Sequence, residues 1–448
     1  MSSVRERIDA SPISRFQIMV FAVLILCNVA EGYDLLSISI AIVPLSEDWN
    51  LTGSEIGTLL AMGPAGMAIG ATILGALADR IGRRSVLLAS LAIMTIFMLL
   101  SGFAQNLFQL SLFRLFASIG MGGIVPVMAV LAGEFAPARK RAAAVGLLTV
   151  GIPLGGMVGG AGAAILMSSY GWHSAFFLGA SVGAVMIVLT WTIVPESPDY
   201  LQSRNTPKAQ RELERLIDRM NLPDDSSGRT VHKIEDPDVA AGGRARLKSL
   251  VLVEVSIAFV LAASAYYFAN LWLPKLLVVA GMSANQGIGG GVILSFGATL
   301  GVICLGILAT RWSAFSISAY AMFATALLFA LFAVTSSHFG AAFVTTAAIG
   351  FALNIGYSGL YAVVTILFAP DCRSTALGIA LTAGRAGAIS TPLLVGFLID
   401  AGWEPKILFI AMVIPIALCA ILTIHLHRTL RRQPTTSEEL SEVESVTS

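Results

Sequence analysis

The chain has 448 residues, of which 56% are hydrophobic and only 12% are charged, and its mean hydropathy is +0.82. A soluble domain of this size carries about a quarter charged residues, so this composition excludes a soluble globular protein. The four cysteines fall in apolar segments or in a predicted inner loop, so they imply no disulfide framework. The composition predicts an all-α membrane protein, and the net charge of +1 indicates no particular partner.

The first apolar segment contains two acids, Glu31 and Asp34, some fifteen residues beyond Arg15. A carboxylate at that depth in a bilayer costs several kcal/mol unless it is protonated, paired or facing water, so such acids usually belong to an ion or proton pathway. At positions i and i+3 they share a helix face, where repulsion and desolvation favour a proton on one of them. We predict that the pair couples protons. Either acid could instead be locked to an arginine.

Twelve apolar segments are long enough to span a bilayer. Their predicted limits are 16–45, 55–77, 85–104, 107–132, 142–167, 172–194, 250–275, 286–309, 314–335, 339–368, 374–399 and 406–427. Of the 28 lysines and arginines, Arg114 and Arg385 lie inside spans. If both termini are cytoplasmic, only Lys275 and Lys406 fall on the outer side of the membrane. This bias follows the positive-inside rule and places both termini in the cytoplasm.

The polar stretch 195–249 divides the spans six and six. We predict an N-terminal bundle at 1–194, a cytoplasmic linker at 195–249, a C-terminal bundle at 250–428 and a cytoplasmic tail at 429–448. Within the linker we expect an amphipathic helix that starts at Thr206-Pro207, followed by a flexible piece at 224–243. Phe135-Ala136-Pro137 recurs as Phe368-Ala369-Pro370, an offset of about 232 residues that other motifs share. Such a parallel repeat predicts two six-helix pseudo-repeat bundles with a substrate site between them.

A glycine- and arginine-rich loop follows the second span, with the sequence Gly75-Ala76-Leu77-Ala78-Asp79-Arg80-Ile81-Gly82-Arg83-Arg84. By composition alone it could be a generic positive-inside loop. Its pattern resembles the signature loop of the major facilitator superfamily, and Pro195-Glu196-Ser197-Pro198 and Arg114 followed by Gly120 resemble other landmarks. The resemblance covers essentially the whole chain and implies the major facilitator fold. It implies a gating loop of Gly75, Asp79, Arg80, Gly82, Arg83 and Arg84, whose second-half copy, 306–311, lacks the acid.

Glu31-Gly32-Tyr33-Asp34 resembles the Asp-Gly-Phe-Asp-like element of the aromatic acid:proton symporters within that superfamily. Glu31 and Tyr33 stand where that family more often has Asp and Phe, a change that keeps the chemistry but could shift the substrate. The resemblance implies uptake of benzoate-like acids and assigns Arg114 to a conformational and proton-relay element.

The two arginines inside spans need partners because arginine does not lose its charge in a membrane. The guanidinium fork fits a planar carboxylate. One scheme pairs Arg114 with an acid of the first span and leaves Arg385 as the substrate clamp. A purely structural ion pair is the alternative for each arginine.

Polar and aromatic side chains recur at helical spacing in two later spans. Such faces could stack a substrate ring or bind its hydroxyl, although helix packing explains any single tyrosine equally well. The predicted substrate contacts are Arg385, Tyr33, Tyr266, Tyr267, Asn270, Asn354, Tyr357, Ser358 and Tyr361.

These features predict a proton-coupled symporter that imports a small aromatic carboxylate, benzoate-, hydroxybenzoate- or gentisate-like, by alternating access. We expect a monomer in the inner membrane that is not an enzyme and has no cofactor, metal or nucleic-acid partner. The histidines do not pair at metal-ligand spacing, and no phosphate loop is present. An aliphatic acid symporter, an exporter of apolar compounds, or a membrane sensor without net flux are the alternatives.

Overall fold

The computed structural model describes residues 4–204, 206–222, 249–336 and 338–431. In these ranges the regular structure is sixteen α-helices and one short 3₁₀ turn. The first ten helices are α1 Val4–Ala10, α2 Arg15–Asp48, α3 Gly53–Ile81, α4 Arg83–Ser101, α5 Leu107–Phe135, α6 Arg141–Leu148, α7 Gly151–Tyr170, α8 His173–Ile193, α9 Pro198–Ser203 and α10 Pro207–Met220. The others are α11 Ser249–Val279, α12 Ala284–Leu308, α13 Ala314–Thr335, α14 Phe339–Leu367, α15 Pro370–Asp400 and α16 Pro405–Arg431.

Twelve helical segments in the described part of the chain are long and apolar enough to cross a membrane. They are α2 to α5, the continuous segment that includes α6 and α7, α8, and α11 to α16. The predicted all-α membrane fold with twelve spans is therefore confirmed.

Helix starts are set by capping side chains that hydropathy does not register. Ser14 and Gln17 form a capping box at the start of α2, and Thr52 and Glu55 form another at the start of α3. Each box satisfies backbone N–H groups that have no partner inside the helix. These caps fix the first turn of two of the long spans.

Contacts divide the chain into two compact units. The first contains α1 to α10 together with Asn270–Phe296 and Pro392–Ala401. The second contains α13, α14, α16 and the remaining parts of α11, α12 and α15. The two units do not coincide with the sequence halves 1–194 and 250–428, because one end of each of three later spans packs inside the first unit.

Asp400, the last residue of α15, binds the C-terminal end of α15 to the start of α3 through hydrogen bonds. Its Oδ1 accepts a hydrogen bond from the Gly53 backbone N at 2.6 Å, and its Oδ2 accepts one from the Ser54 backbone N at 2.8 Å. The carboxylate thus satisfies two N–H groups of the first helical turn, where negative charge is favoured. Gly53 and Gly396 make the approach possible, since a Cβ on Gly396 would overlap the Gly53 carbonyl oxygen.

The predicted amphipathic helix of the linker is observed as α10. Thr206 caps it by accepting a hydrogen bond from the Ala209 N, and Leu216 and Met220 are buried in the apolar core of the first unit. The predicted flexible piece at 224–243 lies outside the described residues, as does the tail from residue 432 onward.

Candidate functional site

Close contact between α2 and α7 fixes the part of α2 that carries the two acids. A Cβ added to Gly32 would overlap the Ile152 carbonyl oxygen, and one added to Gly155 would overlap the Val29 carbonyl oxygen. The two backbones therefore touch, as small residues allow in membrane helix packing. This contact sets the rotation of α2 around Glu31 and Asp34.

Arg114 of α5 forms a bidentate ion pair with Asp34. Its Nη1 lies 2.7 Å from Oδ1 and its Nη2 lies 3.1 Å from Oδ2, and Nη2 also donates to the Asp34 carbonyl oxygen at 3.3 Å. Both side chains are only 2% exposed. The pairing of Arg114 with an acid of the first span is therefore present, and Asp34 is that acid. The pair neutralises two charges that would each be costly to bury alone.

Glu31 lies almost one turn before Asp34 on α2 and is 5% exposed. The two carboxylates share one side of the helix, as their spacing predicts. Asp34 is paired with Arg114 in a fork-to-fork geometry. The acids are thus chemically distinct, although one sequence element carries both.

Tyr33, a predicted substrate contact, packs inside the first unit. Its hydroxyl donates to the Ala175 carbonyl oxygen, and its side chain is 2% exposed. The ring fits against Gly159 and Gly179, where an added Cβ would meet ring atoms. In this arrangement Tyr33 stabilises the packing of α2 against α7 and α8.

In the second unit, four of the predicted tyrosines form one aromatic cluster with Phe259. Tyr266 and Tyr357 stack with ring centroids 4.8 Å apart, and Tyr266 contacts Tyr267 at 5.5 Å. Tyr357 contacts Tyr361 at 5.8 Å, and the Phe259 ring lies 5.5 Å from that of Tyr361. We did not predict Phe259, because a phenylalanine in an apolar span gives no sequence signal.

Arg385 of α15 lies beside this cluster because α15 packs against α11 through glycines. A Cβ on Gly387 would overlap the Val260 carbonyl oxygen, and one on Gly384 would lie 3.4 Å from the Phe259 carbonyl oxygen. Arg385 is close enough to interact electrostatically with the hydroxyls of Tyr357 and Tyr361. The predicted clamp and the predicted tyrosines are therefore brought together.

The remaining predicted contacts have other surroundings. Asn354 is buried and its Nδ2 donates to the Gly350 carbonyl oxygen of its own helix at 3.0 Å. Ser358 is half-buried on α14. Asn270 is half-buried and belongs, by its contacts, to the first unit.

The predicted gating loop meets the predicted Pro-Glu-Ser-Pro landmark in the first unit. Gly82 has a φ of +102°, which favours glycine, and a Cβ there would overlap the Glu196 carboxylate. Glu196 accepts a hydrogen bond from the Arg84 backbone N at 3.0 Å, at the start of α4.

Within the predicted gating loop, Arg83 lies 3.2 Å from Asp79 and 3.6 Å from Glu134. Glu134 was not predicted, and the fold brings it to the loop. A Cβ on Gly75 would lie 3.9 Å from Pro126 Cγ, an ordinary van der Waals contact. The Arg80 carbonyl oxygen accepts hydrogen bonds from Tyr200 and Arg204.

Twelve spans, a buried acid–arginine pair and an arginine beside a tyrosine cluster are features of a multi-pass membrane transporter and not of an enzyme. The family model described as Major Facilitator Superfamily matches residues 24–345, and the chain belongs to that family.

Two curated relatives are similar over almost their whole length. The 4-hydroxybenzoate transporter PcaK of Acinetobacter baylyi is 27% identical over 427 residues, which cover 92% of each chain. The gallate transporter of Pseudomonas putida is 27% identical over 438 residues, covering 96% of each chain. These relatives confirm the resemblance to aromatic acid transporters of the superfamily.

Solved structures support the fold. The xylose transporter XylE from E. coli, in a partially occluded inward open conformation, matches with a TM-score of 0.71 over 95% of this chain and 99% of that one. The two sequences are 15% identical, so this match shows the fold alone.

Proposed function

We propose that the protein is a proton-coupled symporter that imports a small aromatic carboxylate, of the benzoate, hydroxybenzoate or gentisate type, by alternating access. The observation that carries the proposal is the position of Arg385 beside the tyrosine cluster of the second unit. A guanidinium binds a planar carboxylate through two parallel hydrogen bonds, and tyrosine hydroxyls can donate to the same anion. Relatives named as 4-hydroxybenzoate, gallate and benzoate transporters support the same substrate class.

Glu31 is the proposed proton carrier, and Arg114 with Asp34 is its fixed neighbour. Both carboxylate oxygens of Asp34 accept hydrogen bonds from Arg114, so we assign the exchangeable proton to Glu31. The Asp34–Arg114 pair then keeps the charge next to Glu31 neutral. Because Arg114 belongs to α5, the pair also couples a change in Glu31 protonation to α5. Protonation neutralises the negative charge of Glu31, and the bound anion neutralises the positive charge of Arg385. Both charges are then compensated before the bundles rearrange.

The driving force depends on the number of protons. One proton with one monovalent anion is electroneutral, so only the pH gradient acts, at about 1.4 kcal/mol per pH unit. A second proton would add the membrane potential, worth about 2.3 kcal/mol per 100 mV for each charge. Assignment of the proton to Glu31 alone corresponds to the cycle with one proton.

The distribution of basic residues supports an inner-membrane location with both termini in the cytoplasm. In that orientation the loop at 75–84 and α10 face the cytoplasm, and the contact of Asp400 with α3 faces outward. We propose that the transporter works as a monomer, since each chain contains a complete set of these groups.

Substitution of Arg385 tests the proposed clamp. In proteoliposomes, Arg385→Ala should lower counterflow of labelled 4-hydroxybenzoate by at least tenfold, because a charge-assisted hydrogen bond contributes about 1.5–3 kcal/mol. Arg385→Lys should retain part of the activity, since a lysine keeps the charge and loses the fork.

Arg428→Ala is the matched control, because Arg428 is an exposed arginine on α16 of the same unit. Its counterflow should equal that of the wild type. Undiminished counterflow in Arg385→Ala would contradict the proposed role of Arg385 in binding the substrate carboxylate. Equal transport of an aliphatic monocarboxylate by the wild type would favour an aliphatic acid symporter on the same fold.

A further inference from the structure

We infer that the hydroxyls of Tyr357 and Tyr361 bind the substrate carboxylate together with Arg385, and that they do not recognise hydroxyl groups on the substrate ring. This inference rests on the proposed function. It assigns three residues of the second unit to one anion-binding group and leaves the choice of ring substituents to other parts of the site.

The ring surfaces of these tyrosines are largely used by one another. Tyr357 stacks on Tyr266 with an angle of 20° between the rings, and its ring lies at 67° to that of Phe259 and at 80° to that of Tyr361. Phe259, which is fully buried, also contacts Tyr361 at 75°. Contacts of this kind are favourable in themselves and hold the rings in place. What the cluster can offer a ligand is therefore mainly its hydroxyl groups.

Packing of α15 against α11 places those hydroxyls near Arg385. Gly384 touches the backbone of Phe259, whose ring contacts both Tyr357 and Tyr361. Arg385, the next residue along α15, interacts electrostatically with both hydroxyls, and the hydroxyls also interact with each other. Tyr361 keeps 36% of its surface exposed.

The hydrogen-bond inventory of the group matches a carboxylate. A guanidinium only donates, and two tyrosine hydroxyls carry two protons, of which one can be donated within the pair. The other proton lies beside a cation, and an anion bound to Arg385 can accept it. In 4-hydroxybenzoate the ring hydroxyl lies across the ring from the carboxylate. Groups gathered around Arg385 are therefore at the wrong end of the substrate to bind it.

Single Tyr357→Phe and Tyr361→Phe variants test the inference, because each removes one oxygen and keeps the ring contacts. Half-saturation for counterflow is measured with labelled benzoate and with labelled 4-hydroxybenzoate in proteoliposomes. We expect the apparent affinity for both acids to fall by the same factor, about tenfold for loss of one hydrogen bond to a charged group. The ratio of the two affinities should stay at its wild-type value.

Tyr320→Phe is the matched control, since Tyr320 is an exposed tyrosine on α13 of the same unit. A fall for 4-hydroxybenzoate alone would assign the hydroxyls to the ring substituent and overturn the inference. Unchanged affinity for both acids would reduce the tyrosines to packing residues and overturn it equally. If one variant fails to fold, as judged by its melting temperature, the other decides. Absence of counterflow of any aromatic acid in the wild type would instead contradict the proposed function.

Discussion

Arg114→Ala is expected to abolish uptake and to lower the free energy of unfolding by about 3–5 kcal/mol, the usual cost of removing one partner of a buried ion pair. Asp34 would be left as a carboxylate that is 2% exposed and has lost the cation holding two of its oxygens. Burial of an unpaired charge costs desolvation free energy, which the lost ion pair would no longer offset. The effect follows from burial, because the same pair at a surface would contribute about 1 kcal/mol or less.

Thermal unfolding in detergent, followed by tryptophan fluorescence, measures this change in the first unit, where Trp49 and Trp172 contact each other. Arg139→Ala, at an exposed arginine in the same unit, should melt like the wild type. The double variant Arg114→Gln with Asp34→Asn should recover much of the melting temperature without recovering transport, since it removes both charges together. A melting temperature of Arg114→Ala equal to that of Arg139→Ala would contradict the buried pair.

Gly155→Ala is expected to be the second severe change, lowering the free energy of unfolding by about 3 kcal/mol. A Cβ at this position would overlap the Val29 carbonyl oxygen and lie 3.0 Å from the Tyr33 backbone N. These neighbours are backbone atoms of α2, so no side chain can rotate to make room and the two helices must separate. Separation would displace Glu31 and Asp34 together, and transport should fall with stability.

Gly162→Ala is the control on the same helix. Its Cβ would lie 3.6 Å from Leu178 Cδ2, an ordinary van der Waals contact. Because alanine has the higher helix propensity, by about 1 kcal/mol, this variant should melt at or slightly above the wild-type temperature. Equal melting temperatures for the two variants would show that α2 and α7 do not touch at Gly155.

The twelve spans could be predicted because length and hydropathy are local properties that a bilayer demands of every crossing helix. The predicted first span, 16–45, and the observed helix, Arg15–Asp48, differ by a few residues because capping groups, not apolarity, set the ends. The division into compact units was less accessible. It depends on tertiary contacts such as that of Asp400 with Gly53, which join distant parts of the chain.

The acid–arginine pair could be predicted in part. Arg114 needed a carboxylate, but Glu31 and Asp34 share a helix face and the sequence alone does not choose between them. The packing of the Tyr33 ring against Gly159 of α7 and Gly179 of α8 could not be predicted, because it depends on how three helices come together. Phe259 and the glycines beside Arg385 were missed for another reason. Apolar and small residues inside an apolar span look alike until the helices pack.

The most direct measurement of proton-coupled import is accumulation of labelled 4-hydroxybenzoate in proteoliposomes with and without an inward proton gradient. An acidic exterior should drive accumulation in the wild type. Glu31→Gln, which resembles the protonated acid, should lose this accumulation but still exchange substrate in counterflow. Accumulation that ignores the gradient, or gradient-driven accumulation that persists in Glu31→Gln, would contradict the assignment of the proton to this buried acid.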